Sequence, residues 1–309
     1  MQGEVDRDPR PGRFIVTGSE HLSITATTSQ SLAGRSAPLH LLPLAWSEIR
    51  TTAHAGDDLF STLWRGGYPA IFDRGIPPER WLAAYVRTYV ERDVRQLLNI
   101  GDQAAFQTFT TLCAGRAGQQ VNLSSLGADA DISQPTARSW LSVLEASFLV
   151  FRLRPWHRNL GKQLVKTPKL YFHDTGLLCW LLGIRKPDHL ATYPLRGAVF
   201  ENWVVADVYK QLVNQAAPLG LWFYRDKRGN EVDLLLDRGV EVAGVEIKSG
   251  QTVASDFFET LDALRELWDA VRAAPRFRPI LLHGGSTRER RTRGEVIGWR
   301  DVSALTAGA

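Results

Sequence analysis

The stretch GNEVDLLLDRGVEVAGVEIKSG (residues 229–250) sets two short apolar runs on either side of a turn, with a carboxylate inside each. Asp233 opens the run Leu234, Leu235, Leu236; Glu246 sits between Val245 and Ile247, and Lys248 follows two residues later. The turn Asp237-Arg238-Gly239 predicts a hairpin that folds the first run back on the second. Twelve residues separate Asp233 from Glu246, so the hairpin brings the two carboxylates side by side at one end of a small sheet. Side chains alternate along a strand, which puts Glu246 and Lys248 on the same face. Three charged groups gathered in an apolar sheet are unfavourable unless a counter-charge compensates. A divalent cation does this: two carboxylates and a backbone carbonyl suit Mg²⁺, which retains several waters. Such an ion polarises a phosphoryl oxygen and acidifies a bound water, while Lys248 offsets charge building at phosphorus. The residues therefore predict a phosphodiester-hydrolysing site with Mg²⁺ or Mn²⁺ on Asp233 and Glu246. An ion-pair cluster bridged by Lys248 is the structural alternative.

Outward from this stretch, a helical pattern over residues 197–215 and the strand LWFYRD (221–226) come before it. A helix in SDFFETLDALRELWDAVR, a strand in RPILLHGG and a terminal strand and turn in EVIGWRDVSAL follow. The order is α-β-β-β-α-β. Further upstream, residues 122–159 predict a short helix from Ser124, a turn around residues 129–131 and a longer helix from Gln134 to Ala146. Ser133 suits the N-cap of that helix, and Pro135 its first turn. Two strand-like segments follow, FLVFRLRP and KTPKLYFHD. Together these predict a winged helix-turn-helix. On that reading Gln134, Thr136, Arg138 and Ser139 face DNA from the recognition helix. Arg152, Arg154, Arg158 and Lys162 belong to the basic wing, in an acid-free stretch that runs from Ala146 to His173. Trp156 there is read as core, with base stacking as the alternative. TRERRTRG (287–294) is a second basic cluster, either phosphate-facing or a solvated loop.

An amphipathic helix is expected over residues 80–98, a second in QTFTTLCAGRAGQQV, and an N-cap at Asp174 for the helix DTGLLCWLLG. Strands are expected at 12–19 and 39–49, the latter leading into a helix. A length of 309 residues fits two domains and a fragment of a third. The net charge of +4 permits a nucleic-acid partner without arguing for one. Two cysteines without CxxC spacing argue against a disulfide scaffold or a structural zinc site. No signal peptide is legible in MQGEVDRDPRPGR, and the longest apolar run is too short for a bilayer. A cytoplasmic protein with no membrane partner is expected.

The Asp233, Glu246, Lys248 pattern in its α-β-β-β-α-β setting resembles the PD-(D/E)xK nuclease superfamily, in which the helix before the sheet often supplies another acid. FENWVV offers Glu201 for that role, and the resemblance implies that Asp233, Glu246, Lys248 and Glu201 are catalytic. Val232 stands where that superfamily often has proline. Much of the chain also resembles a prokaryotic AAA-type ATPase group that carries a winged helix and a C-terminal nuclease-like domain of unknown function. FIVTGS, SLAGR, LPLAWSEI, GGYPA, YVERDV, TARSWLSVLEASFLVFRLRPW, PKLYFHDTGLL and FENWVV through VEIKSG carry that resemblance. It implies a mixed α/β fold: an AAA-type remnant at 1–52, a helical region with the winged helix at 53–192, and a restriction-endonuclease-like domain at 193–309. The pattern G-x-x-x-x-G-K-[ST] does not occur, and the pair Gly161-Lys162 is followed by Gln163. ATP binding is therefore not expected of these residues, as for a truncated ATP-binding protein. The expected function is that of a DNA-associated protein with a metal-dependent phosphodiesterase centre. The alternative is a non-catalytic DNA- or protein-binding module. A homo-oligomer, or a separate N-terminal ATPase portion, is the further partner expected.

Overall fold

The computed structural model describes residues 39–94, 102–156, 165–271 and 274–307, together with Arg7, Arg10, Gly12, Phe14, Ile15 and Ala37. Residues 39–45 pair with no strand among the described residues, contrary to the strand expected there. Pro43 has no N–H to offer a ladder. Leu44 is satisfied elsewhere, donating to the Gly67 carbonyl at 2.7 Å and accepting from Lys210 Nζ at 2.8 Å. The strand expected at 12–19 lies largely outside the described residues.

Helices then follow in short pieces: α1 (Trp46–Ile49), α2 (Leu59–Arg65), α3 (Pro69–Asp73) and α4 (Pro78–Tyr85), the last continuing as a π-helix over Val86–Val94. After α5 (Gln103–Ala114) come α6 (Leu123–Asp129) and α7 (Gln134–Ala146). Asn122 caps α6 by accepting from the Ser124 and Ser125 amides, and Ser133 caps α7 by accepting from the Thr136 amide at 3.2 Å. The tight turn between them needs a glycine, because a Cβ on Gly127 would meet the Ile132 carbonyl at 2.8 Å. Strands β1 (Val150–Leu153) and β2 (Lys169–Phe172) follow as an antiparallel pair, Val150 opposite Phe172 and Leu153 opposite Lys169. The predicted order of helix, turn, helix and two strands is what the chain adopts.

Next come α8 (Thr175–Leu181), α9 (His189–Thr192) and the long α10 (Arg196–Asn214). A six-stranded open sheet completes the mixed α/β architecture. Its strands are β3 (Leu221–Arg225), β4 (Glu231–Asp237), β5 (Glu241–Lys248), β6 (Arg276–His283), β7 (Glu289–Arg291) and β8 (Gly294–Gly298), in spatial order β3-β4-β5-β6-β8-β7. Strands β4 and β5 form the hairpin predicted from the turn, with Gly239 at φ +79°, and β3 pairs antiparallel with β4 to extend it into a meander. A 3-10 turn and helix α11 (Glu259–Asp269) carry the chain across to β6, which pairs parallel with β5 and with β8. β7 was not anticipated; it lies inside the basic cluster 287–294 and pairs with β8.

Helix α10 packs on β5 and β2, while α11 packs on β6, β4 and β5. Both faces of the sheet are thus covered, which is why β4 and β5 carry near-continuous apolar runs. Two cores result. The larger joins Trp46, Phe109, Leu141, Phe172, Val204, Val245 and Leu305, crossing from the helical half into the sheet. The smaller, under α11, joins Trp156, Tyr224, Leu235, Phe258 and Trp268. Gly244 makes room for it, since a Cβ there would overlap the Phe277 ring. No helix among the described residues is long and apolar enough to cross a membrane.

Candidate functional site

The β4–β5 register pairs Leu234 with Val245; one step further sets Asp233 opposite Glu246, where the ladder ends. Asp233 closes that end itself, Oδ2 accepting the Ile247 amide at 2.8 Å. On β5, Glu246 Oε1 accepts from Lys248 Nζ at 2.6 Å, and the ammonium lies 5.6 Å from the centre of the Phe257 ring. The hairpin thus gathers Asp233, Glu246 and Lys248 as their spacing predicts.

Glu201 reaches the same place from α10, but through two residues that sequence reasoning passed over. Its Oε1 accepts from Lys169 Nζ at 2.9 Å and from the Tyr171 hydroxyl at 2.6 Å. Lys169, only 2% exposed, also lies 2.5 Å from Glu231 Oε1 and 3.9 Å from Asp233 Oδ1. Both donors belong to β2, so an element of the helical half enters the acidic centre of the sheet. The neighbouring Asn202 fastens that element: Oδ1 accepts the Phe172 amide at 2.8 Å and Nδ2 donates to the Phe172 carbonyl at 2.9 Å. The FEN segment is therefore a docking segment for β2 as well as the source of an acid. The signal available in the sequence was a lysine two residues before a tyrosine within an otherwise apolar strand.

Burial, followed by the charges of Glu201 and Glu246, pushes the Asp233 carboxyl well above its ordinary range; Lys169 and the Ile247 amide pull the other way. Glu246 is also raised, by burial first and then by Glu201 and Glu231, although Lys248 opposes this. Lys248 is raised too, because its carboxylate neighbours outweigh the cost of its burial. Glu246 is 7% exposed, and its Oε2 is buried without a hydrogen-bond partner among the described residues. With every group ionised, the four carboxylates Glu201, Glu231, Asp233 and Glu246 stand against Lys169, Lys248 and the Arg225 guanidinium that pairs with Glu231, leaving −1. An orphaned carboxylate oxygen in a cluster where carboxylates still outnumber cations fits a bound cation. No three His, Cys, Asp or Glu side chains among the described residues form a metal cage by themselves. The donor set is two carboxylates, the number with which Mg²⁺ is commonly held.

In the helical half, Gln134, Arg138 and Ser139 are exposed at the start of α7, and Thr136 is half-buried with its hydroxyl 2.8 Å from that of Ser133. Beside them lies a polar groove of about 400 Å³ lined by Gln120, Asn122, Ser124, Gln134 and Thr167. The basic stretch departs from expectation. Arg152 is held by Glu145 of α7 at 2.6 and 2.7 Å, so its charge is already paired. Arg154 is exposed, but its carbonyl accepts from Phe223 and ties β1 to the edge of β3. Arg158 and Lys162 lie outside the described residues. Trp156 is core, buried against Trp222 and Trp268, and cannot stack on a base. In the cluster 287–294, Arg288, Arg291 and Arg293 meet Glu295, Glu289 and Asp262.

Asp174 is the N-cap expected for α8, accepting from the Leu177 amide at 2.7 Å. It also accepts the Gly67 amide at 2.6 Å, and a Cβ on Gly66 would collide with its carboxylate. The GGYPA segment is thereby a close-approach site for a buried acid.

Residues 56–188 match the family described as Domain of unknown function (DUF8612), and residues 196–302 match Domain of unknown function (DUF4143). The chain is 34% identical over 251 residues to the uncharacterized protein Rv2008c of Mycobacterium tuberculosis, covering 80% of this chain and 55% of that protein. The same identity and coverage hold for the uncharacterized protein Mb2031c of Mycobacterium bovis. The chain thus spans about half the length of the curated relatives it matches.

Proposed function

We propose that the chain is a DNA-associated protein whose acidic centre holds one divalent cation, Mg²⁺ or Mn²⁺, on Asp233 and Glu246 and hydrolyses phosphodiesters. The observation that carries this reading is the orphaned Glu246 Oε2 beside Asp233 in a cluster where four carboxylates face three cations. The cation, when bound, would supply an acidified water and a polarised phosphoryl oxygen. The chain's own residues do the rest. Lys248, its side chain 35% exposed, reaches solvent and offsets the negative charge that grows on the phosphoryl group. Asp233 is held in place by the Ile247 amide, and Glu246 by Lys248. Glu201 sets the field at Asp233 from behind.

The order α6, α7, β1, β2 is that of a winged helix, and the exposed Gln134, Arg138 and Ser139 with Thr136 would read DNA from the start of α7. The association of the C-terminal family with AAA ATPase-like proteins suits a DNA-handling assembly, although no ATP chemistry is assigned to these residues.

A second reading rests on Lys169. If its ammonium is the only cation the cluster takes, the chain is a non-catalytic DNA- or protein-binding module. Nicking of supercoiled plasmid with Mn²⁺ separates the two. The parent is expected to cut, and Asp233→Ala and Lys248→Ala to lose cutting by at least about 100-fold. Equal cutting by all three would mark a contaminating nuclease and sink the catalytic reading.

A further inference from the structure

We propose that Lys169 is the resident cation of one half of the acidic centre, so that the centre takes one divalent ion and excludes a second. This rests on Asp233 and Glu246 being the metal ligands. The valences of the cluster divide it into two halves. Both Glu231 oxygens are engaged, Oε1 by Lys169 at 2.5 Å and Oε2 by Arg225 Nη1 at 2.8 Å. Glu201 Oε1 already carries two donors, Lys169 and Tyr171. Asp233 Oδ2 carries the Ile247 amide. On the other side, Asp233 Oδ1 lies 3.9 Å from Lys169, beyond hydrogen-bond distance, and Glu246 Oε2 is buried without a partner among the described residues.

Lys169 cannot readily swing aside for a second ion. It is 2% exposed, its strand is paired with β1, and Asn202 clamps the Phe172 backbone three residues on. Its ammonium also lies 5.4 Å from the centre of the Phe223 ring. A fixed monocation on Glu201 and Glu231 repels any divalent ion brought to the same oxygens. The helical half thereby sets the metal count of a centre whose ligands lie in the other half.

Calorimetric titration of the full chain with Mn²⁺, with free Mn²⁺ followed by electron paramagnetic resonance, tests this. The parent is expected to bind one ion, Lys169→Arg one, and Lys169→Met two, the second occupying the vacated Glu201 and Glu231. Glu231→Gln keeps the stoichiometry at one with affinity within about threefold of the parent, which gives a test even if Lys169→Met fails to fold. A folded Lys169→Met that binds one ion overturns the inference and leaves the metal reading standing. So does a parent that binds two ions, or loss of binding in Glu231→Gln. A parent that binds none overturns both.

Discussion

Replacing Asp233 by asparagine should make the metal-free chain more stable while removing its response to metal. Asparagine keeps an oxygen to accept the Ile247 amide, now at 2.8 Å, so the end of the β4–β5 ladder survives. What changes is charge. The attraction between Asp233 and Lys169 at 3.9 Å amounts to about 4 kcal/mol at an effective dielectric of about 20. Glu201 and Glu246 each raise the Asp233 carboxyl more than Lys169 lowers it. The two repulsions together therefore outweigh the attraction, before any cost of burial. Protonation and local relaxation already relieve most of that penalty, which leaves an expected gain of about 1–3 kcal/mol. Urea unfolding at pH 8 in EDTA should show a higher midpoint for the variant with an unchanged slope. In Mn²⁺ at about 1,000 times the dissociation constant the parent should gain about 4 kcal/mol and the variant nothing, inverting their order. A variant less stable than the parent in EDTA, or one that gains as much from Mn²⁺, would refute the electrostatic account of the centre.

Three further outcomes are expected. Burial, with Lys210 adding to it, pushes His173 down to about 3 from an ordinary 6.5. The unfolded chain therefore binds the extra proton between those values, and stability falls as pH drops from about 6.5 toward about 3. The limit is about 5 kcal/mol. His173→Phe, placed among Phe148, Phe151 and Tyr209, should flatten that slope in urea midpoints taken from pH 7 to 4. Asn202→Ala strands the Phe172 amide and carbonyl in a fully buried site and should cost about 2–4 kcal/mol by the same measurement; an effect below about 1 kcal/mol would mean that water replaces the clamp. Arg138→Ala, at an exposed position, should weaken duplex DNA binding about tenfold in fluorescence anisotropy and lower the salt slope by about one, with melting unchanged.

The parts legible in the sequence were those governed by neighbours along the chain. The turn Asp237-Arg238-Gly239 and the alternation around it predict the β4–β5 hairpin, and Ser133 with Pro135 marks the start of α7 as observed. What escaped were contacts made across long separations. Lys169 reads as one more base in an acid-free stretch, because nothing local reveals that Glu201, 32 residues away, draws it inward. Arg152 reads as a DNA-facing base of the wing until α7 folds back and presents Glu145. Residues 39–45 have a strand's composition, but Gly67 and Lys210 take the polar groups of Leu44 that a ladder would have used. Glu201 could be chosen from its position before the sheet, whereas the hydrogen bonds that orient it come from β2.

The join between β2 and α10 has a consequence for heredity. The two matched segments end and begin at residues 188 and 196, yet Lys169 and Tyr171 on one side complete Glu201 and Glu231 on the other. Positions 169, 171, 201, 202 and 231 are therefore expected to vary as one unit. A lineage that lost the lysine would leave two acids facing each other, and it would persist only with a neutral residue at one of them or a metal in the gap. A chimera that grafts a relative's C-terminal segment onto this helical half should be more stable when those five positions travel together than when they are mixed.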